Sequence, residues 1–392
     1  MRPIVIVGGS VAGIRCAQSL RGRGYTGEIV VIEREEFSPY DKPPLTKAML
    51  AEGSPAAPPP LLSPQDLAEL EIDLRLGTTA VAQELGTSTV TLDTGEVLEY
   101  SNLVIATGLI PRTLPSAQDL QGVFTVRGAA DSLALKRELE TSKRALVIGG
   151  GFIGAEFAAA ARLRGIAVTI VEMQDQPLAH LLGSTVGARF AEFHRRRGTV
   201  VLTDSLVTGF LGEGRVSAVE LADGRTLDAD TVVIGIGAVP AVDWLKSSGL
   251  PLSDGVSCDH DLRVVGTNNV YAAGDIARWP HGLYSEHLRI EHWTNANEHG
   301  DLVAAAILDQ DRPQAQVPYV WSDQYERRVQ IVGRPKTGRL ATLIGEDDPE
   351  QWAAIYADDA GVVVGAVAMS NPRLIMKCRR AISQRATLET VL

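Results

Sequence analysis

Two stretches of this chain carry residues whose types and spacing suit the phosphates of a dinucleotide. Gly149, Gly151 and Gly154 fit the G-x-G-x-x-G spacing. They follow the apolar run from Ala145 and precede a helical pattern from Ala155 to Leu163. The first glycine turns the chain off a strand. The second lets a pyrophosphate approach backbone that has no Cβ, and the third lets the helix pack on the strand. The helix N-terminus then presents free N–H groups and a positive dipole end to the phosphates. The next apolar run, Ala167 to Val171, ends in Glu172. A carboxylate there accepts hydrogen bonds from a ribose diol and repels a 2′-phosphate, which favours NAD(H) over NADP(H).

The same pattern opens the chain. Ile4 to Val7 leads into Gly8-Gly9-Ser10-Val11-Ala12-Gly13, with Ser10 where the middle glycine belongs and its hydroxyl free to meet a phosphate. A helix follows from Ile14 to Leu20, and the next strand, Glu28 to Ile32, ends at Glu33. Two such folds in one chain point to two dinucleotides held against each other, a flavin and a nicotinamide. The segment Ser38-Pro39-Tyr40-Asp41-Lys42-Pro43-Pro44-Leu45-Thr46-Lys47 is too proline-rich for a central strand. It reads either as a rigid surface loop or as a loop that lays Lys47 beside a cofactor. The strand Asn269 to Ala273 ends in Gly274-Asp275, where the acid can bond a polyol hydroxyl or simply cap a helix.

The elements that must position these residues divide the chain. Its 392 residues suffice for two or three domains; charged residues make up 22% and the hydrophobic set 45%, as in a globular protein. A net charge of −11 argues against nonspecific nucleic-acid binding and against an anionic membrane. No run reaches the length of a membrane span, and the N-terminus enters a strand without a signal-peptide pattern. Cys16, Cys258 and Cys378 are few and scattered, with no CxxC pair or zinc spacing, so the expectation is a cytoplasmic protein without a metal site. Leu85 to Tyr100 and Val216 to Asp228 read as hairpins around Asp93-Thr94-Gly95 and Asp223-Gly224. The second half thus resembles the first, as if one nucleotide domain were inserted into the other. Arg189 to Arg197 reads as a solvated helix end. The stretch Arg289-Ile290-Glu291-His292-Trp293-Thr294-Asn295-Ala296 starts a long helix that runs to about Leu308. From Val317 the texture changes to short strands and a helix opened by Asn371-Pro372 that bears Lys377, Arg379 and Arg380.

These residues together resemble the FAD-dependent, NADH-dependent ferredoxin reductases that serve oxygenases and cytochromes P450, the putidaredoxin, rubredoxin and terpredoxin reductase group. The marks are the first fingerprint with Ala12-Gly13, the Pro-Tyr-Asp-Lys-Pro-Pro-Leu-Thr-Lys loop, Ala106-Thr107-Gly108 and Arg127. They continue with the second fingerprint, Ala273-Gly274-Asp275, Arg289-Ile290-Glu291 and Trp321-Ser322-Asp323-Gln324-Tyr325. The resemblance covers nearly the whole chain. Lys42 stands where the group often has Arg, and Thr46 where Ser is usual.

The resemblance implies an α/β fold of two Rossmann-like dinucleotide-binding domains, glutathione-reductase-like, one inserted in the other, with a small α+β C-terminal domain. The expected boundaries are 1–110 and 236–312 for FAD, 111–235 for NAD and 313–392 for the terminal domain. It implies FAD contacts from Gly8, Ser10, Ala12, Gly13, Glu33, Lys47, Ala80, Arg127, Asp275 and Trp293. It implies NADH contacts from Gly149, Gly151, Ile153, Gly154, Glu156, Glu172 and Gly237. Lys47 and Glu156 are the expected catalytic pair, Lys47 near the flavin N5 and Glu156 pairing with it until nicotinamide docks. The implied activity takes hydride from NADH onto FAD and passes single electrons to an acidic 2Fe–2S ferredoxin that supplies a cytochrome P450 or other oxygenase. The basic terminal helix is the expected docking face. Rubredoxin reduction and an NADH-sensing role on the same fold are the alternatives. A flavin disulfide reductase would need a cysteine in the proline loop, and none is there.

Overall fold

The protein's structure is a computed structural model that describes residues 2–117, 120–284 and 286–392. Among them run eight α-helices: α1 (Val11–Gly22), α2 (Pro64–Glu69), α3 (Ala129–Glu138), α4 (Phe152–Leu163), α5 (Ala179–Leu182), α6 (Ser184–Arg196), α7 (Trp293–Ile307) and α8 (Pro372–Ser383). None is long and apolar enough to cross a membrane. The chain divides into two compact units. One holds the residues up to Asp41 with Pro58–Ile110 and Val239–Pro318; the other holds Lys42–Ala57, Pro111–Ala238 and Tyr319–Leu392.

In the first unit, β-branched runs form a parallel five-stranded sheet. Its order is Val270–Ala272, Asn102–Ile105, Ile4–Val7, Ile29–Ile32, Ile72–Arg75. Every residue of Ile4–Val7 and Ile29–Ile32 is buried, as a sheet covered on both faces requires. Helices α1 and α7 pack closely. A Cβ at Gly300 would lie 2.7 Å from the Ala12 carbonyl oxygen and 2.7 Å from Arg15 Cβ, so only hydrogen fits there. Arg23 and the Ser19 hydroxyl both bond Asp301 across this contact.

The second unit repeats the design. Its parallel sheet has the order Val200–Leu202, Ala167–Val171, Arg144–Ile148, Thr231–Ile234, Val123–Phe124. In both units the strand before the fingerprint is central, and the strand ending in the acid is its neighbour. Each also carries a three-stranded antiparallel sheet containing the expected hairpin, Thr89–Leu92 with Val97–Glu99 and Ala218–Leu221 with Thr226–Asp228. The C-terminal part forms an antiparallel sheet ordered Tyr319–Gln324, Arg327–Gly333, Val363–Met369, Trp352–Ala357, Arg339–Ile344. Helix α8 starts as expected, with the Asn371 side chain accepting from the Leu374 N–H and Pro372 in the first turn.

One local expectation changes. The stretch from Arg189 to Arg197 is not a solvated helix end: Val186, Phe190, Phe193 and His194 on α6 are buried. Phe190 meets Trp352 edge-on at 5.5 Å, and the Arg197 guanidinium lies 4.0 Å over the Phe193 ring. The arginines sit on the flanks of an apolar stripe, and burying each large ring stabilises by about 1.5–3 kcal/mol. The proline loop is anchored. It makes two short 3₁₀ turns, Pro43–Thr46 and Ala48–Leu50. Ser132 Oγ donates to the Leu45 carbonyl at 2.7 Å, Lys136 Nζ to that of Ser54 at 2.7 Å, and Arg164 Nη1 to that of Leu50 at 3.1 Å.

The close packing of α1 on α7 makes Gly300→Ala an overpacking change, and it should cost about 1–3 kcal/mol. The urea midpoint measures it; an unchanged midpoint would mean the two helices are not that close.

Candidate functional site

The two fingerprints have one geometry. Gly8 and Gly149 turn with φ of +114° and +98°, a conformation that favours glycine. A Cβ on Gly13 would stand 1.9 Å from the Gly8 carbonyl oxygen, and one on Gly154 would stand 2.2 Å from that of Gly149. The acid at the end of the second strand is held identically in both. Glu33 Oε2 accepts the Gly9 N–H at 2.7 Å and its Oε1 the Glu35 N–H at 2.9 Å. Glu172 Oε2 accepts the Gly150 N–H at 2.7 Å and its Oε1 the Gln174 N–H at 2.8 Å. Each carboxylate is thus pinned at the mouth of its glycine turn, half-buried, with lone pairs left over.

In the first unit, Ala12 lies against the Gly274 turn, which puts Asp275 beside the head of α1. Trp293 opens α7, and its Nε1 donates to Asp41 Oδ1 at 2.8 Å, a contact the sequence reading did not foresee. Ala80 is buried at the start of the strand Ala80–Glu84, two residues after Thr78, whose N–H bonds the Glu33 carbonyl. In the second unit, Ile153 is 42% exposed on the first turn of α4, an apolar side chain beside Gly151. Gly237 turns with φ +90° after the strand Thr231–Ile234. The Arg127 carbonyl accepts from Lys42 Nζ at 3.4 Å, and its N–H bonds Asp131.

Lys47 and Glu156 meet. Lys47 Nζ lies 2.8 Å from Glu156 Oε2, with 18% and 5% of the side chains exposed. Lys47 also donates to the Pro43 carbonyl at 3.0 Å. The Thr46 hydroxyl donates to Glu156 Oε2, and the Ser322 hydroxyl to Oε1 at 2.7 Å. Burial pushes the Glu156 carboxyl up, partly offset by the Lys47 ammonium and by the Lys47, Thr46 and Ser322 hydrogen bonds. The sequence reading paired Lys47 with Glu156 but missed Thr46 and Ser322 as its partners. No local pattern gave them away: Ser322 and Gln324 alternate on one face of a strand, and only the fold turns that face inward.

Residues 2–300 match the pyridine nucleotide-disulphide oxidoreductase family, and residues 319–391 match the reductase C-terminal family. The chain belongs to the pyridine nucleotide-disulphide oxidoreductases. It is 32% identical over 386 residues to the biphenyl dioxygenase system ferredoxin--NAD(+) reductase component of Paraburkholderia xenovorans, covering 98% of this chain and 94% of that one. It is 32% identical to rhodocoxin reductase of Rhodococcus erythropolis, covering 98% and 90%. The crystal structure of the covalent putidaredoxin reductase–putidaredoxin complex matches with a TM-score of 0.93 at 30% identity, covering 98% of this chain and 93% of that one. The chain is therefore a flavoprotein oxidoreductase of the ferredoxin--NAD(+) reductase kind, with FAD and NAD(H) as cofactors and the two-nucleotide-domain α/β fold expected of it.

The residues present fit those cofactors. Neither α1 nor α4 has a side-chain cap, so the Ser10 hydroxyl and the first N–H groups of both helices are not spent on each other. Around Gly151 a Cβ would meet nothing closer than 3.9 Å, so the fold itself does not need glycine there, whereas an approaching pyrophosphate would. The disulphide chemistry in the family's name has no counterpart in this chain. Cys16, Cys258 and Cys378 are unpaired and buried, and burial pushes the Cys16 thiol up to about 12 and that of Cys378 to about 11.

Three histidines lowered by burial set a pH limit, His292, at about 4, among them. Burial lowers His194 to about 4 and His299 to about 3 from an ordinary 6.5. Below pH 6.5 the unfolded chain binds protons that these folded side chains refuse. Their contribution is full above that pH and falls toward pH 4, by up to about 1.4 kcal/mol per pH unit for each. Glu156, raised by burial, works in the opposite sense. The urea midpoint should therefore fall between pH 7.5 and 5; a flat profile would mean these imidazoles are not buried neutral.

Proposed function

We propose that this reductase takes a hydride from NADH and delivers single electrons to an acidic 2Fe–2S ferredoxin that supplies a cytochrome P450 or another oxygenase. FAD, when bound, accepts the hydride and gives up the electron pair one at a time. The reading assigns residues up to 110 and 236–312 to FAD, 111–235 to NADH and 313–392 to the terminal domain. It gives the FAD pyrophosphate to the turn Gly8–Gly13, with Ser10 and Ala12, and the ribose to Glu33. Ala80, Arg127, Asp275 and Trp293 complete the flavin site. NADH falls to Gly149, Gly151, Ile153 and Gly154, with Glu172 at the ribose and Gly237 nearby. The cytoplasm suits three free thiols.

The observation that carries the reading is the Lys47–Glu156 pair. A lysine and a glutamate largely out of water, 2.8 Å apart, on the proline loop and on the helix after the second fingerprint, are costly as mere structure. In this role Lys47 supplies positive charge where the hydride arrives, and Glu156 holds it until nicotinamide enters. The ferredoxin partner rests on the relatives and on α8. Arg373, Lys377 and Arg380 are exposed there around Met376, which is 56% exposed, on a chain of net −11. Arg379 is only half-exposed, its guanidinium 6.0 Å over the Tyr319 ring.

The test is NADH-driven reduction of cytochrome c through added 2Fe–2S ferredoxin. The rate should need both proteins and fall as salt rises, since the docking faces carry opposite charge. In Lys47→Met, stopped-flow reduction of the bound flavin by NADH should slow by about tenfold or more, the scale of one charged contact. Ferredoxin-independent turnover, or an unchanged rate in the variant, would sink the reading.

Glu172→Arg should shift preference toward NADPH. It replaces an acid that repels the 2′-phosphate and frees the Gly150 and Gln174 N–H groups. An unaltered ratio of the two kcat/KM values would put the acid elsewhere than the ribose.

A further inference from the structure

Glu156 is the end of a longer chain of buried polar groups. Ser322 Oγ lies 2.7 Å from Glu156 Oε1, and Gln324 Nε2 lies 3.1 Å from Ser322 Oγ. Gln324 Oε1 lies 3.1 Å from His194 Nε2, His194 Nδ1 lies 3.3 Å from the Tyr325 hydroxyl, and Tyr325 lies 3.1 Å from Thr199 Oγ1. Ser322, Gln324, His194 and Thr199 are all buried. None of these side chains lines a fingerprint, and none is called for by nucleotide binding.

Elementary donor and acceptor rules give the chain one direction. An ionised carboxylate only accepts, so Ser322 spends its single proton on Glu156. Gln324 must then donate to Ser322, which turns its amide oxygen toward His194. His194 Nε2 must carry the ring proton to meet that oxygen. Neutral as burial keeps it, the ring then accepts at Nδ1 from Tyr325, and Tyr325 accepts from Thr199. Every donor points toward Glu156. Nothing in the chain obstructs the opposite order. Were the group at position 156 a donor toward Ser322, the amide would turn over, the ring proton would move to Nδ1, and every link would survive reversed.

We propose that Ser322, Gln324 and His194 are positioning residues for the redox site: a two-way hydrogen-bond relay whose polarity is set by the charge at Glu156, and which holds that carboxylate in register with Lys47. The proposal rests on the role given to Lys47 and Glu156 above. An amide passes on orientation but is a poor carrier of protons, so the relay orients Glu156 rather than supplying it with protons. With the relay intact Glu156 keeps a hydrogen-bonded place even when Lys47 turns away from it.

The test reads the relay through the His194 ring. The FAD-loaded protein, labelled with ¹⁵N in its seven histidines, is observed by NMR above pH 6.5, and His194 is assigned by its loss in His194→Gln. Wild type should show the proton on Nε2. In Glu156→Gln, Lys47 and Thr46 both donate, so they claim the new amide oxygen and leave its NH₂ facing Ser322. The ring proton should then appear on Nδ1. Adding Ser322→Ala to Glu156→Gln should cancel the change, and adding Ser322→Thr, which keeps a hydroxyl, should retain it. A proton on Nδ1 in the wild type, or on Nε2 in both wild type and Glu156→Gln, overturns the proposal. Should the variants fail to fold, a wild-type proton on Nδ1 still overturns the proposal. Neither NADH nor ferredoxin is present, so failure here is separable from failure of the proposed activity.

Discussion

A carboxylate taken out of water is the constraint on which the second unit is built. Removing a charge of this kind from solvent costs several kcal/mol unless it is paired and hydrogen-bonded. Glu156 meets that demand with Lys47, Thr46 and Ser322. Those three come from the proline loop and from the first strand of the C-terminal sheet, while Glu156 itself sits on α4. Three segments distant in sequence must therefore converge on one side chain. The anchoring of the proline loop by Ser132, Lys136 and Arg164 is what keeps Lys47 within reach.

The paired fingerprints solve a different problem with one device used twice. A glutamate at the end of the second strand accepts an N–H from the glycine turn and another from two residues downstream, in both units. Its position is then set by backbone rather than by side-chain chance. On the proposed reading, in which these acids meet the riboses, orientation fixed this way costs no further ordering on binding.

Much of this was legible in the chain. Apolar four- and five-residue strands followed by spaced glycines and a terminal acid leave few alternatives, and the duplicated hairpins have turn residues at matching places. The pairing of Lys47 with Glu156 came from two opposite charges read as buried on facing segments, not from any spacing along the chain. What escaped reading was long-range and polar. Ser322 and Gln324 look like surface residues until the strand Tyr319–Gln324 is seen to face inward, and no local pattern announces that Gln324 will meet His194 on α6. The arginines between positions 189 and 197 hid an apolar stripe at Val186, Phe190 and Phe193, whose spacing is nonetheless helical. Charge drew attention away from periodicity.

The grouping of residues 42–57 with the second unit bears on how freely the parts of this chain can be traded. A piece excised from Pro111 onward would keep the second fingerprint and the terminal sheet, yet lose the lysine that balances Glu156. It would be left with a stranded negative charge in its interior. Recombination between homologues is thus constrained at an unexpected place: a chimera whose crossover falls after position 57 inherits loop and helix from different parents, and a mismatch between positions 46, 47 and 156 would be paid for inside the second unit, far along the chain from the junction.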